Sequence, residues 1–190
     1  WLNIIKKGLN MFCLNEKVVY PGHGVAKVNR LIKKCISSEE VTFYELTFLN
    51  KDVTVLVPTN NVSSIGLRGL SSLEKIKEAF SLLKTPVKKA NQYEFAATNW
   101  NKRNKEYQLK LRTGNLQDLL EVYRDLRYIS SYKELSFGEK NLLQQTETLL
   151  VEEISLVESV AREKTMEQLR SLCSLQQVKC NSIIEEEKVI

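Results

Sequence analysis

Apolar and polar positions alternate through the first third of the chain and recur every three or four residues beyond it, which predicts strands followed by helices. Val18-Val19-Tyr20 is a short β-branched and aromatic run ended by the turn cluster Pro21-Gly22-His23-Gly24. Val25 to Ile32 resumes with partial alternation, and Val41 to Leu49 is again rich in strand formers. Asn50-Lys51-Asp52 is a polar hairpin turn, and Val53 to Val57 follows before Pro58 halts it. Ser64 to Leu67 is read as a last short strand. Strands this short and this close predict a small barrel or rolled sheet.

From Ser71 the period lengthens. Ser71-Ser72-Leu73-Glu74 has the pattern of a capping box, in which a serine hydroxyl and a glutamate satisfy each other's backbone amides. Leu73, Ile76, Phe80 and Leu83 then fall on one helix face, and Pro86 ends it. Val87 to Ala97 reads as a linker carrying Lys88-Lys89. The next helix starts at Thr98 or Asn99 and runs through Trp100, Tyr107 and Leu111 to Gly114. Another opens at Asn115, with Leu116, Leu119, Leu120, Tyr123 and Leu126 on one stripe. Ser136-Phe137-Gly138-Glu139 is a second capping box, heading a long helix with Leu142, Leu143, Leu149, Leu150, Ile154 and Val157. Met166 to Val178 is helical but weaker in pattern, and Glu185-Glu186-Glu187 marks a frayed tail. The fold class is therefore α+β, a small β domain over residues 11–69 followed by a compact all-α domain over residues 70–171. Residues 1–10 read as an upstream extension ahead of Met11, and residues 172–190 as a weakly helical or disordered tail.

Composition narrows the function class. With 43% apolar and 27% charged residues, the chain reads as a soluble globular protein. No apolar run approaches the roughly 18 residues of a membrane span, and Trp1–Asn10 lacks a signal-peptide core. Cys13, Cys35, Cys173 and Cys180 form no C-x-x-C pair, and the one histidine, His23, is distant from all of them. Reduced cytoplasmic thiols are expected, with no metal site. Phosphate-loop and dinucleotide fingerprints are absent, and Gly22-His23-Gly24 lies in a turn that opens no helix. His23 reads as a turn residue bonded to nearby backbone, and Glu152-Glu153 as solvated surface. Neither an enzyme nor a cofactor or small-molecule substrate is expected.

Charge is distributed unevenly. The net value is +5, yet residues 71–135 hold thirteen basic groups against eight acidic ones, and residues 136–190 hold six against ten. Lys84 to Arg112 has eight basic residues against Glu94 and Glu106. Such an excess fits a polyanion partner or a solvated surface. Within it, Thr98-Asn99-Trp100-Asn101-Lys102-Arg103-Asn104-Lys105 sets an indole at a helix start among cations and neutral donors. That composition suits a wedge in a nucleic-acid groove, with phosphates held by the free amides and basic side chains. Equally, the ring could anchor this helix to its neighbour. Lys110 and Arg112 read as solvated.

Four segments in series carry a resemblance: Val18 to Ala26, Thr54-Val55-Leu56-Val57-Pro58, Thr98 to Arg103, and Leu135-Ser136-Phe137-Gly138-Glu139-Lys140. In this order and spacing the chain closely resembles the CarD/CdnL family of bacterial transcription regulators, from about Met11 to Lys164. The resemblance implies a Tudor-like β domain that binds the β-subunit lobe of RNA polymerase and a helical domain that contacts promoter DNA. It further implies that Trp100 wedges into the minor groove at the upstream edge of the transcription bubble. Asn99, Lys102, Arg103 and Lys105 would be its DNA-contacting companions. On the polymerase side a basic family position falls at Lys34, with Arg30 and Lys33 nearby, while Leu56 stands where the family often carries arginine. The outcome implied is stabilisation of the open complex with little sequence reading. Two other readings stay open. One is a protein-only adaptor using the Leu116–Leu126 stripe and the acidic terminal helices; the other is the polymerase-docking part of a transcription-repair translocase, against which the missing ATPase motifs and the chain's own helical domain argue.

Overall fold

A computed structural model describes residues 12–36, 38–84 and 100–173. The chain divides into two compact units, one ending at Leu70 and the other beginning at Ser71. The expectations for residues 1–10, the Pro86 helix stop, the 87–97 linker, Asn99, Cys180 and the tail beyond 173 fall outside the described residues.

The first unit is an antiparallel sheet of five strands: β1 (Lys17–Tyr20), β2 (Gly24–Ile36), β3 (Glu39–Phe48), β4 (Thr54–Pro58) and β5 (Arg68–Gly69). Their order across the sheet is β4-β3-β2-β1-β5, the rolled arrangement that fits a Tudor-like domain. Val18, Ala26, Val28, Tyr44, Leu46, Phe48, Val57, Val62 and Leu67 form its core. Burying each large apolar side chain contributes about 1.5–3 kcal/mol, and Tyr44 also satisfies its hydroxyl, which accepts from the Phe12 amide at 3.0 Å. The turn after β1 is held by the His23 amide donating to the Tyr20 carbonyl at 3.0 Å, with the His23 ring edge-on to Tyr20. One expectation is corrected here. Ser64 and Ile65 belong to a single helical turn, α1 (Val62–Ile65), and the closing strand comes after it. Gly66 caps that turn at φ 78°, and two orphan carbonyls bond to its amide, a conformation that favours glycine over strand formers.

A β-bulge governs the second strand. Val28 lies opposite Leu46, but Arg30 lies opposite Glu45, so Asn29 is an extra residue in β2. Because strand side chains alternate with period two, one inserted residue exchanges the two faces downstream. Val28 faces the core on one side of the bulge; on the other, Leu31 pairs with the buried Tyr44 and so shares its side of the sheet, while remaining 41% exposed. Arg30 is thereby turned outward, where the even spacing from Val28 would have turned it in. Asn29 donates to the Thr47 hydroxyl at 2.6 Å.

The second unit is helical: α2 (Leu73–Lys84), α3 (Trp100–Thr113), α4 (Leu116–Tyr132), α5 (Phe137–Glu158) and α6, residues 162–173. Ile76, Phe80, Leu83, Tyr107, Leu111, Leu150, Ile154 and Leu169 meet in one core, which the whole Leu116–Leu126 stripe joins. The stripe is thus used inside the unit and offers no surface to a partner helix. Gly114 ends α3 at φ 65°, and the Asn115 side chain caps α4 by accepting from the Gln117 amide at 3.2 Å. The first capping box is displaced by one residue. Ser72, not Ser71, accepts from the amide three residues on, Lys75, at 3.3 Å, while the Ser71 amide donates to Glu153 at 2.9 Å. That contact also corrects the reading of Glu152-Glu153 as surface: the two are 3% and 1% exposed. Glu147 accepts from the Tyr123 hydroxyl at 2.9 Å and takes a two-pronged grip from Arg170 at 2.9 and 2.7 Å, joining α4, α5 and α6. No described helix is long and apolar enough to cross a membrane.

Candidate functional site

Trp100 is the first residue of α3 and is half-buried, packed against the helical core. Its indole lies over Gly138 near the start of α5, where an added Cβ would come within 3.1 Å of Cζ2 and 3.4 Å of Nε1. The ring is therefore anchored to the neighbouring helix and partly open. Phe137, immediately before Gly138, is 81% exposed, and Tyr132 is exposed as well. Sequence reading missed both as surface features, because Ser136 to Glu139 was informative only as a helix start.

Arg103 departs from expectation. It is 5% exposed, and its Nη2 pairs with Glu139 Oε1 at 3.0 Å. Its guanidinium carbon sits 5.9 Å from the Trp100 ring centroid, within cation–π range. A cation enclosed in this way is engaged by the fold, which sets it apart from the exposed cations expected beside it. The reason is helical phase: Arg103, Tyr107 and Leu111 share the buried side of α3, whereas Lys102 and Lys105 fall on the opposite, exposed side. Neither lysine has an ion-pair partner among the described residues. Arg112 continues that exposed side, while Lys110 is tied to Glu121 at 2.8 Å.

Glu139 is the hub that holds Arg103. Its Oε2 accepts from the Ser136 amide and hydroxyl, both at 2.9 Å, and its Oε1 also takes Lys133 at 3.2 Å. Burial alone would raise this carboxyl, but the bonds from Ser136 and Lys133 together outweigh it and hold it below its ordinary value. Asp125 behaves oppositely. Burial pushes it up to about 6, only partly offset by Arg124 at 3.5 Å. A carboxyl raised on folding is a penalty above that value which disappears as the proton binds. Asp125→Asn is therefore expected to stabilise the chain by about 1–3 kcal/mol near pH 8 and to lose that advantage by about pH 4. Denaturant unfolding at both pH values checks this; an equal effect at each would exclude the carboxyl's charge as its source.

In the β unit, register sorts the three basic candidates. Arg30, Glu45 and Leu56 lie in one row across β2, β3 and β4, and Ile32, Phe43 and Pro58 in the next. Lys34, opposite Val41, shares this outer face. Arg30, Lys34 and Leu56, the last 38% exposed, thus share one face, with Glu45 between Arg30 and Leu56 and Ile32 between the two cations. Lys33 is one residue out of phase and lies on the other face, where it pairs with Glu40 at 2.9 Å. Arg30 is held by Glu45 through two hydrogen bonds at 2.9 and 3.1 Å. Among the described residues no His, Cys, Asp and Glu side chains cluster as metal ligands.

Two family descriptions match the chain in series. Residues 12–71 match the CarD-like/TRCF RID domain, and residues 78–185 match the CarD C-terminal domain. A protein of Bacillus subtilis (strain 168), "Putative transcription factor YdeB", is 23% identical over 154 residues, covering 81% of this chain and 97% of that protein.

Proposed function

The chain belongs to the CarD family of transcription factors, and from that premise we propose that it binds RNA polymerase through its β unit and stabilises the open promoter complex through its helical unit. The β-subunit lobe of the polymerase is the docking partner. Trp100 enters the minor groove at the upstream edge of the bubble, and Lys102 and Lys105 hold the adjacent backbone. Asn99, by its position next to Trp100, is a further donor to that backbone.

The single observation that carries this reading is the half-open indole at the head of a helix whose outer side bears two lysines with no ion-pair partner among the described residues. Phosphate contacts position a protein without reading sequence, so little promoter preference is expected from the helical unit itself. Polymerase docking supplies location, and tethering lets a weak DNA affinity suffice. Arg30, Lys34 and Leu56 together are the proposed polymerase-facing group, in which Leu56 contributes apolar contact where a cation would pair. Lys33, on the other face, takes no part in it.

A photo-crosslinker at position 102 in a polymerase–promoter complex tests the DNA contact. Adducts on the upstream bubble edge are expected, and adducts confined to protein would favour an adaptor. Lys102→Ala and Lys105→Ala are each expected to flatten the salt dependence of DNA binding by about one unit of slope, on every sequence alike. An unchanged slope removes that lysine from the phosphate contacts.

A further inference from the structure

The indole of Trp100 rests on a seat assembled from two helices. Gly138 leaves the space: its backbone is not in the left-handed region, so no turn demands glycine there, yet a Cβ would press on the ring at 3.1 Å. Arg103, one turn along from the indole, brings its guanidinium to 5.9 Å from the ring centroid. Glu139, next to Gly138, holds that guanidinium at 3.0 Å and is itself held by Ser136 and Lys133. The cap of α5, the buried ion pair and the ring thus form one connected unit.

Neither component is the best choice for stability alone. Glycine in a helix is less favourable than alanine, and a buried ion pair often does no better than apolar residues of equal volume. Resting on the wedge reading above, we infer that Gly138, Arg103 and Glu139 are positioning residues that fix the Trp100 indole in one half-exposed pose. The ring's rotational freedom is then given up on folding and not at the moment of DNA insertion, which raises the share of encounters that lodge it.

Trp1 and Trp100 are the two tryptophans, so Trp1→Phe makes fluorescence report the seated ring alone. In that background Gly138→Ala retains a helical backbone, and its unfolding midpoint is expected to stay level or rise. Its Trp100 emission is expected to shift and its anisotropy to fall, while the open-complex lifetime drops about threefold or more toward that of Trp100→Ala. Arg103→Met should move fluorescence and lifetime the same way. If both variants keep the parent's fluorescence and lifetime while Trp100→Ala loses lifetime, the seat is overturned and the wedge stands. If Trp100→Ala itself keeps full lifetime, the wedge is overturned and the seat with it.

Discussion

Open promoter complexes formed with the Trp100→Ala chain are expected to decay about tenfold faster than those formed with the unaltered chain. The argument is one of differential binding. A ring lodged at an already unstacked step avoids the cost, about a few kcal/mol, of separating stacked bases, so it favours the open form over the closed one. A preference of about 1.4 kcal/mol corresponds to that factor of ten. Trp100 and the β-sheet residues belong to different units, so copurification with core RNA polymerase is expected to be unaltered. Lifetimes are read on a promoter with an unstable open complex, by challenge with a competitor after initiation-competent complexes have formed. An unchanged lifetime there removes the wedge, and a lost copurification would instead indicate misfolding.

The largest stability effect is expected at Glu139. Arg103 has Glu139 as its hydrogen-bond partner, with Nε and Nη1 buried and unbonded among the described residues. Glu139→Ala leaves that cation enclosed without compensation and also breaks the α5 capping box. The expected loss is about 3–5 kcal/mol for the pair, with about 1 kcal/mol more for the cap. Arg103→Met should cost clearly less, because Glu139 keeps Ser136 and Lys133. Denaturant unfolding of the full chain checks the order, and equal losses would mean that the two groups do not depend on each other asymmetrically. The pH sign is also fixed. A carboxyl held below its ordinary 4.5 contributes stability above that value and loses it as pH falls through the lower folded value, the reverse of Asp125.

The element types were legible because they rest on periods that survive any packing: alternation in β1 to β4, threes and fours in α2 to α5. The second capping box was legible for the same reason, being a contact within four residues. What the sequence hid is long-range. Arg103 looked like its neighbours Lys102 and Lys105, and only its place on the buried side of α3, with Glu139 across from it, separates them. The burial of Glu153 likewise depends on an amide eighty-two residues away. Gly138 had no signal, since a glycine's reason can lie in another residue's ring. Helical phase from Tyr107 and Leu111 would have assigned Arg103 inward, had a buried arginine been weighed against a basic segment's usual exposure.

Asn29 carries a consequence for how relatives of this chain are to be compared. The extra residue in β2 acts as a parity switch, so the outward set along the ribbon is defined by counting from the bulge and not by residue type. A cation that alignment slides by one position, as between Lys33 and Lys34, changes sides of the sheet altogether. Insertions and deletions in this strand are thus far more disruptive than substitutions, and a relative lacking the bulge would need its basic residues at odd offsets to build the same face.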